Sequence, residues 1–208
     1  MIPHRSIARS AATAGFVTAF VALAAVAVGC GGGSSNTTTS GGPAATFTPD
    51  TPAPGAGTIA LLAGSKSGAS VNVRVTVTGV PSFFGAAFTI TYDTTALQFN
   101  AMTNTTSLLR GGDVTDANLV FLEDHATHPG EVLITATRVD PTVALPIDVT
   151  TTSDLVVLNF TARKTIAAAA AEGRLDFGDP KQVCDGTVVP SGCNAIAVTW
   201  SGGGVSAQ

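Results

Sequence analysis

Three cysteines, three histidines and fourteen acidic residues carry most of the chemistry open to this 208-residue chain. The densest polar cluster is Glu123-Asp124-His125-Ala126-Thr127-His128, two imidazoles and two carboxylates of the kinds that ligate zinc. Its His-x-x-His spacing falls in a segment that ends in Pro129-Gly130, a loop in which no helical face holds the two rings together. A solvated loop is therefore expected there, with no metal and no cofactor. Gly64-Ser65-Lys66-Ser67-Gly68 places Lys66 where a nucleophile elbow needs serine, and it reads as a turn. Asp113, Asp116 and Asp124 do not follow a calcium-loop spacing, and nothing selects two carboxylates for glycoside hydrolysis. No catalysis is expected. Cys184 and Cys193 bracket a segment with Pro190 and Gly192, which favour a chain reversal. A disulfide between them, clipping an exposed hairpin, is expected to contribute roughly 2.5 to 3 kcal/mol.

Cys30 has a different setting. Arg5 and Arg9 precede an apolar stretch, Ala11 to Gly29, that ends in Ala27-Val28-Gly29-Cys30. Residues 1–29 read as an export signal, and the small residues before Cys30 resemble the lipobox of bacterial lipoproteins. That resemblance implies a diacylglycerylated Cys30 as the first residue of the mature chain. The protein is then held to the bacterial envelope, at the outer membrane or cell surface, outside the cytoplasm. An uncleaved membrane anchor is the alternative for the same stretch. Residues 31–57, GGGSSNTTTSGGPAATFTPDTPAPGAG, have one charge and almost no apolar periodicity, so 30–57 reads as the lipidated cysteine and a flexible linker with a reach on the order of 30 Å. Ten Lys and Arg stand against fourteen Asp and Glu, net charge -4, with no basic run to neutralise phosphates; nucleic acid is not expected as a partner.

The elements that position these residues are strands. Only 12% of the chain is charged, and its polar positions are filled by Thr, Ser, Asn and Gly, which excludes a helical bundle. Val71, Val73, Val75 and Val77 alternate with Asn72, Arg74, Thr76 and Thr78, which places the valines on one buried face. Phe84, Ala86, Phe88, Ile90 and Tyr92 form the next buried row, opposite Gly85, Ala87, Thr89 and Thr91. Shorter strands are expected at 58–63, 97–101, 118–123, 132–139, 155–163, 174–177 and 195–200. About nine strands in residues 58–208 make an all-β, two-sheet sandwich of jelly-roll type. Ala167 to Gly173 is read as a loop with one helical turn. Trp200 is in phase with Ile196 and Val198, and Tyr92 with Phe88 and Ile90, so both rings read as core; Phe83 and Phe121 are the rings left for an exposed platform.

The segments VNVRVTVTGVPS (71–82), GAAFTITYD (85–93) and Leu97-Gln98-Phe99 resemble the opening half of a cohesin domain. Gly130 to Ala136, Asp154 to Arg163 and Gly202 to Val205 resemble its later strands, so the similarity spans about 58–206. It implies a nine-stranded jelly roll that holds dockerin-bearing proteins, often polysaccharide-degrading enzymes, on scaffolds or cell surfaces, with no catalysis of its own. The implied partner-binding face comprises Gly85, Ala87, Thr89 and Thr91, then Val120 and Leu122, then Leu133, Thr135 and Thr137. Family members that bind dockerins often carry Asn and Asp at the outward positions occupied here by Gly85 and Ala87. A carbohydrate-binding module and a structural envelope domain without a soluble ligand are the alternative readings.

Overall fold

A computed structural model describes residues 43–112, 114–139, 144–189 and 192–208. Cys30, the export signal and linker residues 31–42 lie outside them, as do Asp113 and Pro190. The described chain forms β1 Ala45–Pro49, β2 Thr58–Ser67, β3 Ser70–Thr78, β4 Val80–Phe83, β5 Gly85–Thr91, β6 Leu97–Thr103 and β7 Leu119–Asp124. Then come β8 Glu131–Arg138, β9 Ile147–Val149, β10 Ser153–Ala162, β11 Arg174–Val189, β12 Gly192–Ala195, β13 Thr199–Ser201 and β14 Gly203–Ala207. One sheet has the order β1-β14-β11-β5-β8-β7, with β12 also on β11; the other runs β13-β2-β3-β10-β6, and β4 pairs β9. Among the described residues there is no α-helix, only single 3₁₀ turns such as Ala171–Gly173, and no helix long and apolar enough to cross a membrane. The result is the all-β two-sheet sandwich that the alternation implies.

The core follows the pattern read from sequence. Val71, Val73, Val75 and Val77 are buried against Phe88, Ile90, Val132, Ile134, Leu158 and Phe160. The Phe160 ring meets Tyr92 and Phe99 edge-on, each with centroids 5.4 Å apart. Trp200 lies 4.8 Å from Phe177 and 6.0 Å from Phe88, at the half-buried margin of the core. Thr76 and Thr78, expected to face outward, are buried with their hydroxyls satisfied: Thr76 donates to the Ala60 carbonyl and Thr78 pairs with Thr152. Farther along the same outward face the polar side chains satisfy one another. Asn100 donates to Asn159, Asn159 to Asn72 and Asn72 to Ser65, an amide chain across β6, β10, β3 and β2.

Three boundaries differ from the expectation. The segment 45–49, read as linker, is strand β1: it pairs antiparallel with β14 from Ala45↔Ala207 to Pro49↔Gly203 and buries Ala45 and Phe47. Its apolar content, one Ala and one Phe two residues apart, is too short for a periodicity argument, and only the open edge of β14 gives it a partner. Gly79-Val80-Pro81-Ser82, a sequence that favours a turn, instead leads into strand β4, with Phe83 fully buried. Gly64–Ser67 continues β2 through an irregularity between Ala63 and Lys66, and the reversal comes at Gly68, whose φ of 54° is the left-handed conformation glycine tolerates.

Candidate docking face

Strand register decides which side chains share a surface, because a one-residue slip would send each of them to the other side of the sheet. β5 pairs β8 with Gly85↔Thr137, Ala87↔Thr135, Thr89↔Leu133 and Thr91↔Glu131. β8 pairs β7 with Thr137↔Val120, Thr135↔Leu122 and Leu133↔Asp124. On the other side, β5 pairs β11 with Gly85↔Cys184, Ala87↔Gln182 and Thr89↔Gly178. Residues that alternate with these, Ala86, Phe88, Ile90, Val132, Ile134, Ala136 and Val183, are buried in the core. All nine residues assigned to a partner-binding face therefore lie on the outer surface of one sheet, together with Gln182 and Cys184, which sequence reasoning did not assign to it.

The floor of this face is low and closed. Gly85 and Thr89 are buried, Thr89 at 4% exposure, and Ala87, Thr135 and Thr137 are partly exposed. A Cβ on Gly85 would stand 2.3 Å from the Thr137 Oγ1, so no side chain fits there. The missing Asn or Asp at this position has a steric cause: Thr137 occupies the space. Leu122 and Leu133, 62% and 41% exposed, rise on the β7 side and are two of the three large apolar side chains that stand exposed among the described residues. Opposite them, on β11, Gln182 is exposed and donates from Nε2 to the Cys193 Sγ at 3.3 Å.

Cys184 and Cys193 are bonded to each other, with Cα atoms 5.5 Å apart, and the bond clips β11 to β12 beside Gly85. Asp185 steadies the same corner. Its carboxylate accepts from the Thr187 amide at 2.8 Å and from the Asn194 side chain at 2.6 Å, and these bonds hold its pKa below the ordinary carboxylate value. Gly186, with φ of 77°, lies flat on Phe84, where a Cβ would come within 2.7 Å of the ring.

The other candidate residues are spent locally. Asp124 accepts from the Ala126 amide and the Thr127 hydroxyl, and the Thr127 bond leads in lowering its pKa. The His125 Nδ1 bonds Glu123, and its ring lies 5.1 Å from Phe99; His128 bonds Thr127. No three His, Cys, Asp or Glu side chains converge on a metal-sized site among the described residues. The rings weighed for a sugar platform do not form one: Phe83 is fully buried, and Phe121 is half-buried under the Arg110 guanidinium, 5.4 Å away.

At the far end of the sheet, Arg174 clamps β1 to β11. Its two terminal nitrogens donate to Asp50, both at 2.7 Å, and it also bonds Asp176. These bonds raise the pKa of Arg174, while Asp50 is held below the ordinary carboxylate range, chiefly by the Arg174 hydrogen bond.

Solved structures similar to this chain include a type II cohesin domain from the cellulosome of Acetivibrio cellulolyticus, at 17% identity and TM-score 0.46, covering 79% of this chain and 95% of that one. Type II cohesin A11 from Bacteroides cellulosolvens matches at 18% identity and TM-score 0.46, covering 74% and 97%. The second type II cohesin module of the adaptor ScaA scaffoldin of Acetivibrio cellulolyticus matches at 15% and 0.43, covering 76% and 91%. Comparison with curated proteins finds no match. The cohesin-domain family model matches residues 58–183, more than half of the sequence. With that match laid over a two-sheet β-sandwich, the chain belongs to the cohesin family, whose domains are non-catalytic binding modules.

Proposed function

We propose that this chain is a membrane-tethered cohesin module that captures dockerin-bearing proteins outside the cytoplasm, with the β7-β8-β5-β11 face as the docking surface. The observation that carries the reading is the shape of that face: a floor of Gly85, Ala87, Thr135 and Thr137 beside the exposed Leu122 and Leu133. Small residues let a helix backbone come close, and exposed leucines supply the apolar contact that stabilises the complex. Lipid attachment through Cys30 supplies the tether and places the module at the bacterial cell envelope. Chains of this type serve polysaccharide breakdown by holding enzymes near their substrate, as the cellulosomal origin of the similar structures suggests.

The geometry of the chain ends fits this arrangement. Ala44 exchanges backbone hydrogen bonds with Gln208, next to Ala45↔Ala207, beyond the Arg174 end of β11. Cys184 lies ten residues farther along β11, about 30 Å away at strand rise. The chain thus enters the sandwich at the end opposite the disulfide corner.

The test is calorimetric titration of the chain with purified dockerin modules from the secreted proteins of the same cell. Leu122→Arg and Thr135→Arg place a charge on the docking surface without touching the core, and each is expected to abolish binding. Retained affinity in both variants removes this face from consideration. Thr89 is unsuited to the same test because its burial makes an arginine there a folding mutation. Mass spectrometry of the envelope-extracted protein tests the anchor: a diacylglycerylated N-terminal Cys30 is expected, and an unmodified Cys30 refutes it.

A further inference from the structure

Strand β1 lies between two segments rich in glycine or proline, residues 31–42 and 50–57. Among the described strands its ladder partner is β14, and Phe47 fills a slot in which a Cβ on Gly203 would come within 2.2 Å of the ring. The start of β1 meets the end of β2: Lys66 donates to Thr46, and the Ala45 amide to the Gly68 carbonyl. Past the end of β1, Thr51 pairs with Ser201, which lies beside Ala60 near the start of β2. The two strands therefore run opposite ways, and the chain reverses between Asp50 and Gly57. Both ends of that connection are fastened. The Asp50 amide donates to the Gly202 carbonyl, and the Gly57 amide to that of Gly79, against which Ala56 packs. Between them Pro52, Ala53 and Gly55 are exposed, and Pro52 to Gly55 make no hydrogen bond among the described residues. Each proline fixes its own φ and drives the residue before it, Thr51 or Ala53, toward an extended conformation. The hinge so built favours a straight path, whereas a single folded chain needs a reversal.

We propose that β1 is an exchangeable strand: Ala45–Pro49 of one copy docks on β14 of a second copy of this chain, whose own β1 takes the reciprocal place. The ladder bonds, the Phe47 slot and the Arg174–Asp50 pair are all remade with identical groups, so they do not distinguish the two states. What separates them is the straightened hinge, which favours exchange, against the cost of bringing two chains together. Four hinge residues span at most about 14 Å when extended, so the two sandwiches stay adjacent. In the lipid-anchored arrangement proposed above, confinement to one membrane plane raises the effective concentration of copies, and the exchanged pair presents two docking faces on one unit.

The test co-expresses two full-length chains, one with Ala45→Cys and the other with Ala207→Cys, and maps disulfides in the extracted protein by mass spectrometry. These positions face each other in the ladder and are 1% and 0% exposed, so collision between folded monomers does not join them. A bond between residues 45 and 207 then arises only by exchange. That bond is expected, and its absence from folded chains overturns the proposal. Thr46→Cys with Ser206→Cys, the next pair in the register and only half-buried, repeats the test should the first pair unfold the domain. Replacing Pro52 and Pro54 together by glycine lets the hinge bend, and the dimer fraction of the otherwise unmodified chain, read by light scattering, is expected to fall severalfold. An unchanged fraction overturns the hinge argument.

Discussion

Phe47→Ala tests whether the folded domain begins at β1 or at Thr58, where the family match starts. Phe47 is buried at 5% exposure on a strand that sequence reading assigned to a tether. It pairs with Val205, and its ring packs so closely over Gly203 that a Cβ there would come within 2.2 Å of its Cζ. Truncating a buried phenylalanine costs about 3–5 kcal/mol, from the lost transfer energy and the cavity left behind. For a domain of this size, roughly 2–4 °C of melting temperature follows each kcal/mol, so the expected drop is about 6–20 °C. Unfolding in urea and heat is read through the single Trp200, which packs against Phe177 and Phe88 and reports on the intact core. Thr48→Ala, exposed on the same strand, is the control and is expected to stay within about 0.5 kcal/mol. A Phe47→Ala chain as stable as the control would mean that β1 is not docked in solution and that the linker does extend to Gly57.

Three further outcomes follow from particular contacts. Gly85→Ser is expected to destabilise by about 1–3 kcal/mol through overpacking on Thr137, and Thr137→Gly should recover only part of that, because the Thr137 backbone Cα itself lies 2.6 Å from the added Cβ; a serine tolerated alone, in urea unfolding, refutes the crowding argument. Asp50 has a depressed pKa in the folded state, so its ion pair with Arg174 adds stability above the unfolded carboxylate pKa near 4 and loses it as pH falls through the lower folded value. Both partners are more than a third exposed, so Asp50→Asn should cost less than about 1 kcal/mol at pH 7 and leave a shallower acid limb; an unchanged acid limb contradicts the assignment. Trp200→Ala is expected to lower stability by about 3 kcal/mol without altering mobility in cellulose, xylan or chitin affinity gels. A folded Trp200→Ala chain that loses retardation shown by the unmodified chain would favour the carbohydrate reading.

Local order in the chain was enough for the sandwich. Two-residue alternation at Val71–Val77 and Phe84–Tyr92 names the buried rows, because a pleated strand sends neighbours to opposite sides whatever surrounds it. The family resemblance implied Val120, Leu122, Leu133, Thr135 and Thr137 for one face, and the strand register puts them together on the outer side of the sheet. The even pair Cys184 and Cys193, once Cys30 is set aside for lipid, identifies the disulfide from spacing and compartment alone. Tertiary structure decided what alternation does not encode: which strands become neighbours and what then covers them. Ala45–Pro49 is a strand because β14 offers it an unpaired edge, Thr76, Thr78 and Thr89 are buried by their surroundings, and Gly85 is bare because Thr137 from β8 fills its space. The placement of Gln182 and Cys184 on the same sheet surface as Gly85 and Ala87 likewise needed the β5–β11 register, since an offset between strands far apart in sequence is set by long-range pairing and not by either strand alone.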